Sequence, residues 1–499
     1  MRSSPLDLPP ERFRALGHDL VDQMAELLEQ MPTGPVRQGA GLTDVREALG
    51  RGSVPREGIE PGALLDETVE LLRGHSLYNG HPRFFGFITS SAAPIGALAE
   101  LIAATINQNV GGYSLSPMAT EIEAQTVRWI AELVGMPKGS SGVLVSGGNM
   151  ANIAGVWAAR AHMLGGDVRA RGIRDLPPLR IYASAATHTW IQKSADLSGI
   201  GTDAIRWIAI DDEERIRPDA LREAIARDLA AGDRPMVIVG TAGSVSTGAI
   251  DPLGELASIA REHDIWFHVD GAYGAPAAML PDAPHDLTAL SRADSVAVDP
   301  HKWLYAPIEA GCILVRDPQL LRDAFSYHPP YYPDAIEDPD PPLYYHEWSP
   351  QNTRGFRALK IWLGLRQVGR SGYEQMIAED IRLAKRMYEM AEAQEELEAT
   401  SVGLSICTFR YVGKGYGLSG MTSQDELNAL NKSIMERLQA EGRAFLTNAV
   451  INGDFLLRAC IVNFRTGEED VRALIEEVVR VGRDLIGKEE YETRHARER

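Results

Sequence analysis

The chain has 499 residues, a net charge of −19 at pH 7, and 44% hydrophobic and 24% charged residues, an ordinary composition for a globular protein. This length predicts two or three domains with a large buried core. The negative charge argues against nucleic acid or an anionic membrane surface as a partner. The N-terminal residues lack the apolar core of a signal peptide, and no apolar run approaches the length of a membrane span.

Three cysteines, Cys312, Cys407 and Cys460, lie far apart in apolar runs that are typical of strands. Their spacing fits neither a metal site nor a disulfide framework, so we interpret each as a small buried hydrophobic residue. We therefore expect a cytoplasmic protein without a bound metal.

Pro9 and Pro10 open a predicted N-terminal helix that ends at the Pro- and Gly-containing segment 31–35. Its apolar residues are three and four positions apart and form one face: Phe13, Leu16, Leu20, Met24, Leu27 and Leu28. Such a single-sided helix needs another surface to cover it, and we expect that surface to be a partner subunit. A second helical stretch is predicted near residues 62–72.

From about residue 85 onward, apolar strands alternate with helical stretches. The predicted strands are Gly142–Val145, Arg180–Ala183, Met236–Val239, Trp266–Val269, Ser295–Val298 and Cys312–Val315. Near-continuous apolar strands separated by helices predict a mostly parallel sheet covered on both faces. Ligands bind beyond the carboxyl ends of such strands, where Ser146 and Asp270 fall.

Residues 325–350 are rich in proline and aromatic residues, which predicts a long loop, and loops of this length often act as mobile lids. A long helical stretch begins near Asn352 and leads to the C-terminal part. There, short strands at residues 405–409 and 455–460 alternate with helices, which predicts a smaller α+β domain.

Lys302 and Asp270 constrain the function most tightly. Asp270 closes the apolar strand Ile265–Val269, and Lys302 follows a later strand within the segment Asp299–Trp303. Pyridoxal phosphate needs a lysine amine to bind its aldehyde and a carboxylate to pair with its protonated ring nitrogen. Taken singly, Lys302 fits a solvated surface charge and Asp270 fits a strand-end cap. Their order and spacing together favour a pyridoxal phosphate site.

The segment Ser146–Asn152 joins a predicted strand to a helix and contains Gly147 and Gly148. Glycines let the backbone approach a ligand, and exposed amides at a helix start favour an anion such as the cofactor phosphate. Asn149 either contributes to this site or caps the helix. His188 follows another predicted strand and either stacks on the cofactor ring or has a structural role.

Seven motifs follow one another between about residue 80 and residue 365: His81–Phe85, Ser116–Glu121, Ser146–Gly148, His188, His268–Asp270, His301–Trp303 and Arg354–Lys360. As a set they resemble the pyridoxal-phosphate-dependent group II decarboxylases of aromatic amino acids, histidine and glutamate. The resemblance implies a fold-type I, aspartate aminotransferase-like α/β fold with a mostly parallel seven-stranded sheet. It implies an N-terminal helical dimerisation segment at 1–84, a large cofactor-binding domain at 85–370 and a small C-terminal α+β domain at 371–499.

The resemblance also implies roles for single residues. Lys302 would hold the cofactor, Asp270 would pair with its ring nitrogen, and His188 would stack on its face. The full set of cofactor-binding residues implied in this way is Gly147, Gly148, Asn149, His188, Asp270, Ala272, His301 and Lys302. Partners implied are a small-molecule amino acid and a second copy of the chain, with active sites at the homodimer interface.

Arg354 is similar to the residue that binds the substrate carboxylate in the glutamate branch, although a salt bridge at a helix start fits it too. Tyr331 is similar to the loop tyrosine that protonates the reacting carbon, and its neighbour Tyr332 is the alternative. Related aldehyde synthases have phenylalanine there, so a tyrosine favours plain decarboxylation. Phe87 and Ser90, in a mostly apolar segment, are predicted to bind the substrate side chain.

Asp299 departs from the family pattern, since the animal aromatic enzymes have an asparagine there, near the phosphate. Because an anion repels a phosphate, we expect Asp299 to face the backbone or His301. Val245 likewise replaces a hydroxyl residue often found near the cofactor. Neither departure removes an essential group.

The predicted reaction is decarboxylation of an aromatic L-amino acid: tryptophan, tyrosine, phenylalanine or dihydroxyphenylalanine. The mostly apolar segment around Phe87 suits an aromatic side chain better than a second carboxylate. The alternative is decarboxylation of glutamate, aspartate or cysteine sulfinate, which needs a further basic residue in the pocket. A third, different reading is a cofactor-binding protein without this activity, or an aldehyde synthase or carbon–carbon lyase.

Overall fold

A computed structural model describes residues 4–38, 41–165, 167–329, 341–413 and 423–497, with side chains described as far as residue 487. The N-terminal part is helical, with α1 at Pro10–Gln30, α2 at Leu42–Leu49 and α3 at Pro61–His75. The two predicted N-terminal helices are therefore confirmed, and α1 begins at the proline pair. Only Leu16 of α1 is buried; Leu20, Met24 and Leu27 of its apolar face are half-buried, and Phe13 and Leu28 are exposed in the single chain.

The large sheet has seven strands in the order β1-β7-β6-β5-β4-β2-β3. The strands are β1 Ser141–Val145, β2 Leu179–Ser184, β3 Ile205–Ile208, β4 Arg234–Thr241, β5 Trp266–Asp270, β6 Ser295–Val298 and β7 Gly311–Val315. Strand β7 pairs antiparallel with β1 and β6, and the other neighbouring pairs are parallel. The mostly parallel seven-stranded sheet is confirmed, and its antiparallel member is β7.

Helices and two hydrophobic clusters cover this sheet on both faces. Along β1, Leu144 packs into one cluster, whereas Val143 and Val145 pack into the other. Both faces are buried, which is why the strands read as continuous apolar runs rather than alternating ones. The helices of this part are α4 Pro94–Ile106, α5 Pro117–Leu133, α6 Gly148–Leu164, α7 Asp167–Arg171, α8 Trp190–Leu197, α9 Pro218–Ala230, α10 Leu253–Glu262 and α11 Gln319–Phe325. Short 3-10 helices span Met31–Thr33, Tyr113–Leu115, Thr202–Ala204, Ala275–Met279, His285–Arg292 and Tyr345–Glu347.

The C-terminal part is built on a second, antiparallel sheet in the order β10-β11-β9-β8. Its strands are β8 Leu397–Gly403, β9 Ile406–Tyr411, β10 Thr447–Ile451 and β11 Asp454–Cys460. Its helices are α12 Ala358–Glu392, α13 Gln424–Glu441 and α14 Glu468–Arg497. Helix α12 is interrupted at Gly369, whose φ of 69° is not helical, and this break falls at the boundary expected near residue 370. The small α+β C-terminal part is confirmed.

Cys312, Cys407 and Cys460 are buried, with free thiols, as their apolar surroundings predict. Within the described ranges, no helix combines the length and the apolar character needed to cross a membrane. The same residues contain no group of His, Cys, Asp or Glu side chains that could hold a metal ion.

Candidate active site

Five loops meet at one edge of the large sheet because the strands that precede them, β1, β2, β4, β5 and β6, all run in the same direction. The loops enclose a cavity of about 420 Å³. All of the predicted cofactor-binding residues line it: Gly147, Gly148, Asn149, His188, Asp270, Ala272, His301 and Lys302. The sheet therefore brings together residues that are far apart in the sequence.

One end of the cavity is formed by Gly147, Gly148 and the first turn of α6, which we call the amide end. Gly147 has φ 148° and ψ 176°, a conformation that is open only to glycine. A Cβ atom on Gly148 would lie 2.5 Å from Oδ2 of Asp299, so a side chain there would fill the cavity. Backbone N–H groups at a helix start are unpaired and favour a phosphate.

Asp270 is the last residue of β5 and is held at both carboxylate oxygens. Its Oδ2 accepts a hydrogen bond from Nε1 of Trp190 at 2.7 Å, and its Oδ1 accepts one from the backbone N–H of Ala272 at 3.2 Å. The carboxylate is 8% exposed and faces the cavity. These two donors fix its orientation toward whatever occupies the cavity.

His188 lies at the mouth of the cavity on the loop after β2. Its Nδ1 accepts a hydrogen bond from the backbone N–H of Trp190 at 3.3 Å. Partial burial lowers the pKa of His188, which favours the neutral ring at pH 7. With Nδ1 used as an acceptor, the proton of the neutral ring lies on Nε2, which is then a donor toward the cavity.

Lys302 lies on the loop that follows β6. Its Nζ is 3.0 Å from Oδ2 of Asp299. The next side chains of the loop point into the core, where Trp303 and Tyr305 both donate to Oδ2 of Asp380, at 2.8 and 2.6 Å. Burial raises the pKa of Asp380 to about 7. Asp380 lies on helix α12. Its buried carboxyl group therefore ties this helix to the loop that carries Lys302, which we call the lysine loop.

His268 supports this site from within the core. Its Nε2 lies 2.7 Å from Oδ1 of Asn152 and its Nδ1 lies 2.7 Å from Oγ of Ser295. Burial lowers its pKa to about 4, so the ring is neutral. The ring meets the Trp190 indole edge-on, with centroids 5.6 Å apart. It therefore packs against the side chain that donates to the carboxylate of Asp270.

The predicted substrate-binding residues fall outside the lining of this cavity. Phe87 is 56% exposed and packs on Phe445, with ring centroids 5.9 Å apart, whereas its neighbour Ile88 lines the cavity. Ser90 is buried and donates to the carbonyl of His301 at 2.8 Å, so its hydroxyl supports the lysine loop. In the single chain, neither side chain lines the cavity.

Arg354 is also placed differently from the prediction. Its side chain has no exposed surface and forms a salt bridge with the equally buried Glu123. It donates to the carbonyl groups of Val110 at 2.8 Å and Leu144 at 2.6 Å. With its guanidinium used in the core, Arg354 cannot receive a substrate carboxylate in this arrangement, and the salt-bridge alternative describes it better. Tyr331 and Tyr332 lie outside the described residues.

Two residues of the site were missed by sequence reasoning. Trp190 contacts both Asp270 and His188, but nothing in its sequence neighbourhood signals this. Arg458 is 2% exposed and donates to the carbonyl groups of Val245 at 2.6 Å and Phe87 at 3.0 Å. A lone arginine within the apolar strand β11 was a usable signal, because a buried cation must find acceptors.

The cavity has the groups that pyridoxal phosphate requires. It supplies a lysine amine for the aldehyde, a fixed carboxylate for the ring nitrogen, an imidazole beside the ring and an amide end for the phosphate. The side chains that would fill the amide end are absent at Gly147 and Gly148. The residues present therefore fit this cofactor.

Comparisons with known proteins agree with the geometry. Residues 59–412 match the pyridoxal-dependent decarboxylase conserved domain. An aromatic-L-amino-acid decarboxylase of Bacillus atrophaeus is 30% identical over 484 residues, which cover 95% of this chain and 98% of that protein. The crystal structure of tryptophan decarboxylase from Catharanthus roseus with L-tryptophan superposes with a TM-score of 0.86 at 27% identity, over 96% of this chain and 100% of that one. That of Oryza sativa TDC with PLP and tryptamine gives 0.89 at 25% identity, over 97% and 100%.

Proposed function

Because the chain belongs to the pyridoxal-dependent decarboxylase family, we propose that it removes the α-carboxylate of an aromatic L-amino acid as carbon dioxide and releases the amine. The candidate substrates are tryptophan, tyrosine, phenylalanine and dihydroxyphenylalanine. The observation that carries the proposal is the single cavity that contains Lys302, Asp270 and His188. The relatives named above that act on aromatic amino acids support this substrate class.

When bound, pyridoxal phosphate supplies an aldehyde for covalent attachment and a ring that accepts the electron pair left on the substrate carbon as carbon dioxide departs. Lys302 would hold the cofactor aldehyde through Nζ. Asp270, oriented by Trp190 and Ala272, keeps a proton on the ring nitrogen. His188 would lie beside the ring, and with its Nδ1 used as an acceptor its Nε2–H is the donor available to the reacting groups. A proton must then reach the reacting carbon, and Tyr331 remains our candidate donor.

The lining of the cavity favours an aromatic substrate over an acidic one. Among its described lining residues, Lys302 is the only lysine or arginine, and apolar atoms come from Ile88, Met150 and Val245. A second substrate carboxylate would lack a cationic partner, and burying an unpaired charge costs several kcal/mol. The acidic-substrate alternative therefore lacks the basic residue that it needs.

We also propose a cytoplasmic homodimer with active sites near the subunit interface. Four apolar side chains of α4 are 46–56% exposed on adjacent turns: Leu98, Leu101, Ile102 and Ile106. Gly96, on the opposite side of α4, packs against Pro307, which lies five residues after Lys302. A partner that covered α4 would therefore lie beside the lysine loop. The buried free thiols support a reducing compartment.

The first experiment is carbon dioxide release from a panel of L-amino acids with added pyridoxal phosphate. We expect release from tryptophan, tyrosine, phenylalanine or dihydroxyphenylalanine and little from glutamate or aspartate. Release only from acidic substrates would replace the proposal with the alternative. Aldehyde and hydrogen peroxide in place of the amine would indicate an aldehyde synthase.

The control for this experiment is Lys302→Ala, which removes the covalent link to the cofactor. We expect loss of the visible absorbance of the lysine-bound cofactor and a fall in kcat of at least about a thousandfold. Glu309→Gln, an exposed charge change on the same loop, should keep both properties. Persistence of the absorbance in Lys302→Ala would contradict the assignment of Lys302.

A further inference from the structure

The carboxyl group of Asp299 lies in the cavity and is only partly paired. Its side chain is 3% exposed, and its Oδ2 is 3.0 Å from Nζ of Lys302 and 3.8 Å from Nε2 of His301. Its Oδ1 is buried and has no hydrogen-bond partner among the residues that the structure describes. A buried carboxylate oxygen without a protein donor is costly, so Oδ1 is an acceptor that a ligand in the cavity could satisfy.

Asp299 lies at the amide end of the cavity. The position of a Cβ atom on Gly148, the first residue of α6, is 2.5 Å from its Oδ2 and 3.2 Å from its Oδ1. The amide end is also where a helix start favours the cofactor phosphate. A phosphate bound there would lie in contact with this carboxyl group.

Few positive charges face the carboxylate of Asp299 and a phosphate bound at the amide end. On its own loop, Asp299 faces Lys302 and His301, and from other elements it acts on His188 and Cys312. Burial lowers the pKa of His188 and raises that of the Cys312 thiol, so neither supplies a positive charge at pH 7. If Lys302 is attached to the cofactor aldehyde, its nitrogen is bonded to the cofactor and is no longer a free ammonium group. A carboxylate and a doubly charged phosphate in contact then repel each other strongly unless a proton lies between them.

We propose that Asp299 and the cofactor phosphate share one proton, so that the enzyme binds the phosphate in its singly charged form. The inference rests on the proposed cofactor site. Phosphate monoesters lose their second proton at about pH 6, so the free cofactor is mostly doubly charged at pH 8. The shared proton comes from the buffer during binding. It satisfies the unpaired Oδ1 and removes the repulsion at the same time.

The test is phosphorus-31 NMR of the cofactor-loaded enzyme between pH 6 and pH 9. We expect the wild-type signal to stay at the position of a singly charged phosphate monoester over this range. Asp299→Asn removes the acid but keeps its shape, so its signal should move to the doubly charged position. Glu309→Gln, which removes a nearby exposed charge outside the cavity, should behave as the wild type.

A second measurement compares the dissociation constants of pyridoxal phosphate and pyridoxal across the same pH range. For the wild type, the ratio of the two constants should rise by up to about tenfold per pH unit above pH 6, because one proton binds with the phosphate. In Asp299→Asn the ratio should change far less. Pyridoxal lacks the phosphate, so the other proton changes in the site cancel in this ratio.

A wild-type phosphorus signal at the doubly charged position, with cofactor bound, would overturn the shared proton but leave the cofactor site intact. An equal pH dependence of the ratio in wild type and Asp299→Asn would do the same. Absence of any bound cofactor in the wild type would overturn both this inference and the proposed function.

Discussion

Trp190 holds two residues of the cavity in place. Its indole N–H donates to Asp270 and its backbone N–H donates to His188. Trp190→Phe keeps the aromatic ring but leaves Oδ2 of Asp270 without its donor. We expect a loss of about 1–3 kcal/mol in the free energy of unfolding, measured by urea denaturation, because a buried acceptor becomes unsatisfied. We also expect a lower kcat with little change in KM, since Asp270 loses its fixed orientation.

Trp362→Phe is the matched control, because the indole of Trp362 donates to Gln125 at 2.7 Å, on helices outside the cavity. It should lower stability slightly and leave kcat unchanged. Equal kcat values for the two variants would show that the indole N–H of Trp190 contributes to packing and stability but not to catalysis.

Asp380 makes stability depend on pH. Burial raises its pKa to about 7, whereas an unfolded aspartate titrates near about 3.9. A folded pKa above the unfolded one means that the stabilisation is full below pH ~3.9 and is lost as the pH rises through about 7. Asp380→Asn cannot lose a proton. Between pH 5 and pH 8 the variant should therefore gain about 3 kcal/mol relative to the wild type.

Thermal or urea unfolding at a series of pH values measures this difference. The charged groups near Asp380 include Glu379 on its own helix, and its donors are Trp303, Tyr305 and the backbone of Asn463. A variant-minus-wild-type difference that stays constant with pH would contradict the raised pKa.

At the scale of elements, a turn of the large domain packs closely on the small sheet. Gly248 has φ 76°, and a Cβ atom there would lie 2.1 Å from the carbonyl oxygen of Gly403 at the end of β8. The same turn carries Val245, which lines the cavity. Gly248→Ala should destabilise the protein by about 2–4 kcal/mol, because it adds both backbone strain and a clash. The urea midpoint measures the loss.

Gly254→Ala is the control for this change. Gly254 lies in α10 with nothing within 4 Å of the added Cβ, so alanine should be neutral or stabilising by up to about 1 kcal/mol. Similar midpoints for the two variants would mean that the turn moves freely away from β8.

The strands of the large sheet that sequence reasoning found share one property, which is burial on both faces. β5 is buried along its whole length and reads as an apolar run. β3 was missed because it is an edge strand that pairs only with β2, with Trp207 45% exposed. β8 was missed because, after a single buried residue, its exposed and half-buried residues alternate without an apolar run.

The residues that line the cavity could be predicted because they follow an apolar strand or lie in a glycine-containing turn, and both features can be read from the local sequence. Arg354 was placed wrongly in the substrate site because its partner, Glu123, lies 231 residues away in the sequence. Pairings over such distances depend on the packing of α5 against β1, which no local pattern reveals. The contact between Asp299 and Lys302 was also missed, although the expectation that Asp299 faces His301 agrees with a 3.8 Å separation.

At the scale of the whole molecule, the exposed face of α4 predicts a second subunit. Leu101→Glu places a charge at the centre of this face, and we expect the variant to be monomeric because a buried unpaired charge opposes association. Light scattering coupled to size-exclusion chromatography gives the mass of each form. We also expect lower activity, because α4 packs beside the lysine loop.

Leu229→Glu is the control, since Leu229 is 48% exposed on α9, away from α4, compared with 50% for Leu101. It should leave the mass and the activity unchanged. A wild-type monomer with full activity would contradict the dimer proposal.

The position of β7 between β1 and β6 affects when the cofactor pocket forms during synthesis and folding of the chain. The amide end follows β1, but Gly147 packs against Gly311 at the start of β7, and a Cβ there would lie 2.4 Å from the Gly147 backbone. A chain emerging from the ribosome therefore cannot complete this pocket until β7 has left the exit tunnel. Pairing over so long a stretch of sequence is slow. Binding of the vitamin B6 coenzyme is thus a late step in folding. A chain that binds the coenzyme has already placed β7 between β1 and β6.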